Sequence, residues 1–274
     1  MEMKDALSFK YPDFYMGYNV RQTTEPVIDN SHCHDRYELL YVLSGAGRFV
    51  VEGAEYTVKP RTIMLVRPFE YHCMHLDGDT VYARYCVHFP SAFLGSEGAR
   101  ILEKITAGES GENYYLSSVS DSLDSIFERF EIAEMLPAEE QRIYLRSLLF
   151  EIIILLSATA GEHLPQDEAE LGARVIRYLN NNIDKDLSLD KLARRFFVSK
   201  FYLCRAFKKH NGISVHGYIN QKRVMFAKQL IEEGETASGA AYKVGFGDYS
   251  AFYRAYVKIL GTSPTSVQTR KEIL

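Results

Sequence analysis

The chain has only four cysteines in 274 residues, Cys33, Cys73, Cys86 and Cys204, and none stands in a paired spacing. There is no Cys-x-x-Cys metal or redox pattern, and the length excludes a small disulfide scaffold, so a reduced, cytoplasmic compartment is expected. No apolar leader is expected either, because Glu2, Lys4 and Asp5 stand where a signal core would need an uninterrupted greasy run. The greasiest stretch, Leu148 to Ala160, is broken by Glu151 and is too short to cross a bilayer. No membrane partner is expected. Hydrophobic residues make up 46%, which excludes wholesale disorder and at this length is enough for two ordinary domains.

The net charge of -4 conceals a segregation: residues 170–274 hold about 18 Lys and Arg against about 9 Asp and Glu, roughly +9, leaving roughly -13 for the remainder. A basic half that meets phosphate and an acidic half that does not is the implication. The basic half carries two helix-turn-helix signatures about fifty residues apart, Leu189 to Lys209 and Ala240 to Lys258. In the first, Ser188 caps a helix that turns Leu189, Leu192 and Ala193 inward; Phe196 to Val198 form the turn, and Ser199 caps a second helix. Leu203, Ala206 and Phe207 of that helix recur at core spacing, while Lys200, Phe201, Cys204, Arg205, Lys208 and Lys209 share the opposite face. Buried Leu and Phe with exposed Arg and Lys beside a tight turn are what major-groove insertion requires. Ser214 then caps a helix to about Glu232, roughly 28 Å at 1.5 Å per residue, long enough to hold two small bundles about one DNA turn (roughly 34 Å) apart. In the second unit Gly245 and Phe246 end a short helix and Asp248 caps the next. Phe252 and Tyr256 pack inward there, leaving Tyr249, Ser250, Tyr253 and Arg254 outside.

Residues 170–274 resemble the AraC/XylS-type DNA-binding domain over their whole length. The matching elements are Leu192-Ala193, Ser199, Leu203, Phe207-Lys-Lys209, Gly212, Tyr218, Arg223, Ala227, Leu230, Ala241, Val244-Gly-Phe246, Phe252, Arg254, Gly261 and Pro264. The resemblance implies an all-α domain of seven helices with two recognition helices in successive major grooves, and transcription regulation, usually activation. Phe201, Cys204 and Arg205, and then Tyr249, Ser250 and Arg254, would face bases. Lys200, Lys208, Lys209 and Lys258 would meet phosphates, which position rather than specify. Two departures stand out. Phe197 occupies the turn position that is often Gly, and Ala237 and Ala240 stand where the family usually has Ile. The smaller side chains predict looser packing in the second unit.

The acidic half begins with an aromatic-rich arm over residues 1–30 (Phe9, Tyr11, Phe14, Tyr15, Tyr18), which would close over a pocket or form a plain barrel strand. Short strands follow at 38–43, 48–52, 63–66 and 81–89, divided by Gly- and Pro-containing turns, the pattern of a sandwich or barrel. Helical spacing takes over from Ser120, with a helix about 138–158 more apolar than one stripe needs; it would pack on the barrel and also pair two subunits. Gly161 to Glu168, with Pro165, reads as the linker. On an extended strand His32, His34 and Glu38 point the same way, and His72 lies in a following turn. Two or three imidazoles and a carboxylate could hold Zn, Mn, Fe or Ni with positions open to substrate. Tyr82, Arg84 and His88 share one face of their strand, whereas Tyr41 lies opposite Glu38. The spacing His-x-His-x3-Glu-x6-Gly resembles the first cupin motif, and Pro68 with His72 partly matches the second. Pro26 replaces the leading Gly of the first motif, and Glu70 a Gly of the second.

The expected protein is therefore an α+β multidomain chain. Residues 1–160 form a cupin-like effector-binding and dimerisation domain (barrel about 20–90, helices about 120–160), 161–168 the linker and 169–274 the DNA-binding domain. Its pocket residues would be His32, His34, Glu38, His72, Tyr82, Arg84 and His88. Its partners would be promoter DNA, RNA polymerase, a second copy and a small-molecule effector, a sugar being the commonest within the resemblance. Two other readings remain: a metal-loaded cupin enzyme, with His32, His34, Glu38 and His72 as ligands, fused to a DNA-binding domain, and a regulator controlled by a protein partner.

Overall fold

The computed structural model describes residues 4–159, 161 and 170–265, so the expected linker, Gly161 apart, lies outside the described residues. The chain divides into two compact units, one β-rich and one largely helical, the second also taking in residues 30–34 and 71–73.

The β-rich unit contains two sheets. The larger runs in the order β1 (Lys4–Tyr11), β2 (Phe14–Thr23), β9 (Thr80–Phe89), β4 (Tyr37–Ser44), β7 (Ile63–Val66) and β10 (Tyr114–Leu116). The smaller runs β3 (Val27–His32), β8 (His72–Leu76), β5 (Gly47–Val51) and β6 (Ala54–Val58). Of the two readings of the aromatic N-terminus, a closing arm and a plain strand, the strand holds. Tyr15 to Thr23 pair with His88 to Thr80, and Lys4 to Tyr11 pair with Val20 to Phe14, so Phe9, Phe14 and Met16 join the core instead of covering a cavity.

Side-chain alternation sorts the larger sheet into two faces. Leu39 and Tyr41 of β4 and Tyr85, Val87 and Phe89 of β9 pack with the helices. Leu40, Val42, Met64, Val66 and Tyr82 point the other way and join Phe49, Val51, Tyr56, Val58, Met74 and Leu76 of the smaller sheet in an inter-sheet core. Tyr41 is thus on the helix side, as its register requires, and its hydroxyl bonds Asp124.

Three helices cover the outer face: α1 (Gly95–Ile105), α2 (Asp121–Glu128) and α3 (Ala138–Ser157). The α3 side chains Leu145, Leu148, Leu149, Ile152, Ile153 and Leu156 are each at most 1% exposed. At about 1.5–3 kcal/mol for each such side chain, this one helix supplies on the order of 10 kcal/mol of gross burial, so most of its apolar surplus is spent inside the subunit. Ile143 and Ile154 remain at 62% and 39% exposure.

Glu70, the departure in the second cupin-like motif, anchors the loop before β10. It pairs with the Arg67 guanidinium at 2.6 Å, accepts from the Gly111 N–H at 3.0 Å and accepts from the Asn113 amide at 2.5 Å. Arg67 in turn donates to the carbonyls of Thr106 and Gly108.

The helical unit holds α4 (Leu171–Asn180), α5 (Leu189–Arg195), α6 (Lys200–Asn211), α7 (Val215–Glu232), α8 (Ala237–Lys243) and α9 (Tyr249–Leu260), six helices among the described residues. Each boundary has a local cause. Ser199, Ser214, Thr236 and Asp248 accept hydrogen bonds from the first-turn N–H groups of α6, α7, α8 and α9, and Gly212 and Gly261 close α6 and α9 in the left-handed conformation. Ser188 holds the cap position of α5 without a side-chain cap bond; Asp186 instead accepts from the Ser188 N–H and pairs with Lys191. Arg223 on α7 donates to the carbonyls of Ile183 and Lys185 at 2.8 and 2.6 Å and lies over the Phe246 ring, joining the middle of the long helix to both halves. Ala237, Ala240 and Ala241 are all buried beside Val224, Ala227, Ile231, Phe252 and Tyr256.

Candidate nucleic-acid interface and ligand pocket

The two helix-turn-helix units share one turn chemistry. After α5, the Phe197 N–H meets the Arg194 carbonyl and the Val198 N–H that of Ala193; after α8, the Gly245 N–H meets Tyr242 and the Phe246 N–H meets Ala241. This pair of bonds requires a left-handed residue between them, and Phe197 (φ 56°) and Gly245 (φ 93°) supply it. Phe197 therefore reproduces the glycine turn in spite of its side chain, which is 94% exposed.

Burial separates the two faces of each following helix. On α6, Leu203 and Phe207 are fully buried while Lys200, Phe201, Arg205, Lys208 and Lys209 are exposed and Cys204 is half-buried. Positions 201, 204, 205 and 208 form one stripe at helical spacing. On α9, Phe252 and Tyr256 are buried and Tyr249, Ser250, Tyr253, Arg254 and Lys258 are exposed. Lys200 pairs with Asp190 of α5 at 3.0 Å, both side chains more than half exposed, a contact weak enough to yield to a phosphate. Two exposed aromatics, Phe197 and Tyr242 (82% exposed), escaped sequence reasoning. For Phe197 the signal was available, in an aromatic at a glycine position.

His32, His34 and Glu38 do not share one extended strand, because the chain leaves strand conformation at 33–36, and His72 stands on a strand and not in a turn. His32 ends β3, His72 begins β8 and His34 follows β3. Their rings meet, with centroids 5.3 Å apart for His32–His34, 4.5 Å for His32–His72 and 5.2 Å for His34–His72. Glu38 on β4 stands directly across from His88 on β9, with the carboxylate 3.1 Å from His88 Nε2. Tyr82, Arg84, Cys86 and His88 share the interior face of β9, and Arg84 contacts the Tyr82 hydroxyl at 3.5 Å. Burial pushes the Tyr82 phenol up to about 12. Burial works against a charged His88, but Cys86 and the Glu38 carboxylate outweigh it and raise the imidazole above its ordinary value. Burial also raises the Cys86 thiol. Cys86 is the residue that sequence reasoning passed over, although the parity of Tyr82, Arg84 and His88 already placed it among them.

An α-helical pair of capped turn units on one side and a β-sandwich with a polar interior strip on the other define a ligand-responsive DNA-binding regulator. Two family descriptions match the chain, the AraC-like ligand binding domain over residues 20–175 and the helix-turn-helix domain over residues 192–270. The chain belongs to the AraC family of transcription regulators. It is 24% identical over 269 residues to the HTH-type transcriptional activator RhaS of Enterobacter sp. (strain 638), covering 95% of this chain and 96% of that one. It is also 24% identical to the uncharacterised HTH-type transcriptional regulator YdiP of Escherichia coli (strain K12), over 85% of this chain and 79% of that one. Among solved structures, ToxT from Vibrio cholerae O395 aligns over 93% of this chain and 97% of its own, with 12% identity and a TM-score of 0.41. No helix among the described residues is long and apolar enough to cross a membrane.

Proposed function

We propose that this regulator is a cytoplasmic, non-enzymatic activator of a metabolic operon, reading promoter DNA with α6 and α9 and answering to a small polar effector of the carbohydrate class. Residues 1–160 sense and dimerise, 161–168 link, and 169–274 bind DNA. The observation that carries this reading is the pair of exposed, basic and aromatic stripes on α6 and α9, each introduced by a left-handed turn and a side-chain cap. Phe201, Cys204 and Arg205 read bases from the first helix and Tyr249, Ser250 and Arg254 from the second. Lys200, Lys208, Lys209 and Lys258 bind phosphates. The naming of relatives as activators supports activation, with RNA polymerase as the partner.

The candidates for holding the effector are Glu38, Tyr82, Arg84 and His88 on β4 and β9 and, as a second group, His32, His34 and His72. The meeting of the His32, His34 and His72 rings fits a divalent metal as well as a hydrogen-bonded sugar. Three imidazoles are a donor set suited to Zn, Ni or Fe, and an ion there would offer open positions to an effector. The outward remainder of α3, with Ile143 and Ile154, is the proposed dimer face. An effector acts only through unequal affinity for two states. The test is DNA binding by the full chain across a panel of sugars. A sugar that shifts promoter affinity in wild type and not in Arg84→Ala supports the reading. A panel that leaves both affinity and melting unchanged contradicts the sugar assignment.

A further inference from the structure

We propose that Cys86, His88 and Glu38 form a binding site for a thiophilic divalent ion of the zinc class, sharing only Glu38 with the His32, His34, Glu38 and His72 set. This deepens the effector reading and rests on it only for the site's place on the interior face of the larger sheet.

The geometry comes from register alone. Cys86 and His88 are two apart on β9 and so share a face, while Glu38 on β4 is the Cα partner of His88. The three side chains bring their ligand atoms together, with both oxygens of the one carboxylate engaged. Cys86 Sγ lies 3.2 Å from His88 Nε2 and 3.4 Å from Glu38 Oε1, and His88 Nε2 lies 3.1 Å from Glu38 Oε2. A tetrahedral zinc site with Zn–S of about 2.3 Å and Zn–N and Zn–O of about 2.0–2.1 Å has edges of about 3.6 Å (S to N), about 3.5 Å (S to O) and about 3.3 Å (N to O). The S to N edge is within about 0.4 Å of that face, and the two contacts to Glu38 end on its two oxygens, so a rotation of the carboxylate is needed to bring one oxygen to both partners. The ligands are rigidly carried. Glu38 and Cys86 are 2% and 4% exposed, and the strands that bear them are interior strands of the larger sheet, paired on both sides.

Charge completes the case for a thiolate. On binding, the Cys86 S–H proton and the Nε2 proton of a charged His88 leave to solvent, an S–metal bond forms, and the imidazole binds neutral through Nε2. Thiolate and carboxylate together offset the dication. Arg84, two residues before Cys86 on the same face and 3% exposed, adds a fixed positive charge, so the cluster keeps one net positive charge with the thiolate and would keep two with the carboxylate alone. Imidazole and thiolate donors select Zn, Co or Ni over Mg or Ca.

The experiment is a cobalt(II) titration of metal-stripped full-length protein, read by the thiolate-to-cobalt charge-transfer absorption. A band saturating at one cobalt per protomer is expected, bleached by zinc. It should persist in a Cys33→Ser, Cys73→Ser, Cys204→Ser variant and vanish in Cys86→Ser. Zinc X-ray absorption on the wild-type chain, which requires no variant, should show one sulfur scatterer at about 2.3 Å. A cobalt spectrum without a thiolate band, a band that survives Cys86→Ser, or a zinc shell of nitrogen and oxygen only would overturn the proposal. DNA binding is measured separately, so failure of the metal site and failure of the sugar reading are told apart.

Discussion

Phe197 and Gly245 occupy the same position in two copies of one turn, and exchanging their side chains should give opposite results. An L-residue held in the left-handed region is strained by about 1–2 kcal/mol. At 94% exposure the Phe197 ring has almost no packing to offset this. Glycine removes the strain but gives back about 0.5–1 kcal/mol through its freer unfolded chain. Phe197→Gly should therefore stabilise the helical unit by about 0.5–1 kcal/mol. At Gly245 the same backbone is enclosed. A Cβ would stand 2.6 Å from the Asp184 carbonyl oxygen and 2.8 Å from Arg223 Nη2. Neither group gives way easily, because Arg223 is fixed by the Ile183 and Lys185 carbonyls. Left-handed strain and overpacking add, and Gly245→Ala should destabilise by about 2–4 kcal/mol. Urea unfolding of the full chain, followed by hydrogen exchange of peptides within 171–260, reads both. A neutral Gly245→Ala, or a Phe197→Gly that loses about 1 kcal/mol or more, the reverse of the expected sign, would refute the shared-turn geometry. A stabilised Phe197→Gly that binds DNA more weakly would show what the exposed ring is for.

Other consequences follow from the same structure. Leu149→Ala, at a fully buried position of α3, should cost about 2–5 kcal/mol in denaturant titration, whereas Ile143→Ala should be nearly silent in a monomer. Glu70→Ala strips the partner from a largely buried Arg67 and should cost about 3–5 kcal/mol, with hydrogen exchange rising first in the 106–113 loop; unchanged protection there would count against the loop's anchoring. Ile143→Lys with Ile154→Lys should shift sedimentation towards monomer if the outward face of α3 is the dimer surface, and an unchanged dimer would place it elsewhere. Amides within 236–258 should exchange faster than those of 189–209, since α8 packs with alanines; equal protection would show that close helix approach has replaced the missing volume.

The helical unit was readable because its signals are local: caps at Ser199, Ser214 and Asp248, apolar residues at helical spacing, and glycines after α6 and α9. The strands β4, β5, β7 and β9 were readable for the same reason, as short β-branched and aromatic runs between turn residues. The N-terminal stretch could be read only as an arm or a plain strand, because β2 gains its place through pairing with β9, some seventy residues away, and β1 through β2, and no local pattern separates an edge strand from an arm. α1 was hidden by Gly95 and Gly98, which weaken a helix signal. Gly98 is needed there, since a Cβ would stand 2.6 Å from the Leu94 side chain and 2.9 Å from the Phe150 ring. Strand parity placed Tyr82, Arg84 and His88 on one face of β9 before any coordinates. The cluster with Cys86 required the register of β9 against β4, which is a long-range fact.

The central claim is that α6 and α9 each read part of one DNA site. Selection of bound sequences from a random duplex pool by the full-length protein tests it most directly, repeated with Arg205→Ala and Arg254→Ala. The account predicts an enriched site with two recognised segments about one turn apart, roughly 10 base pairs. Each variant should lose preference in one segment only and bind about 1–3 kcal/mol more weakly. No enriched sequence in the wild type, or both segments retained at wild-type affinity in both variants, would contradict it.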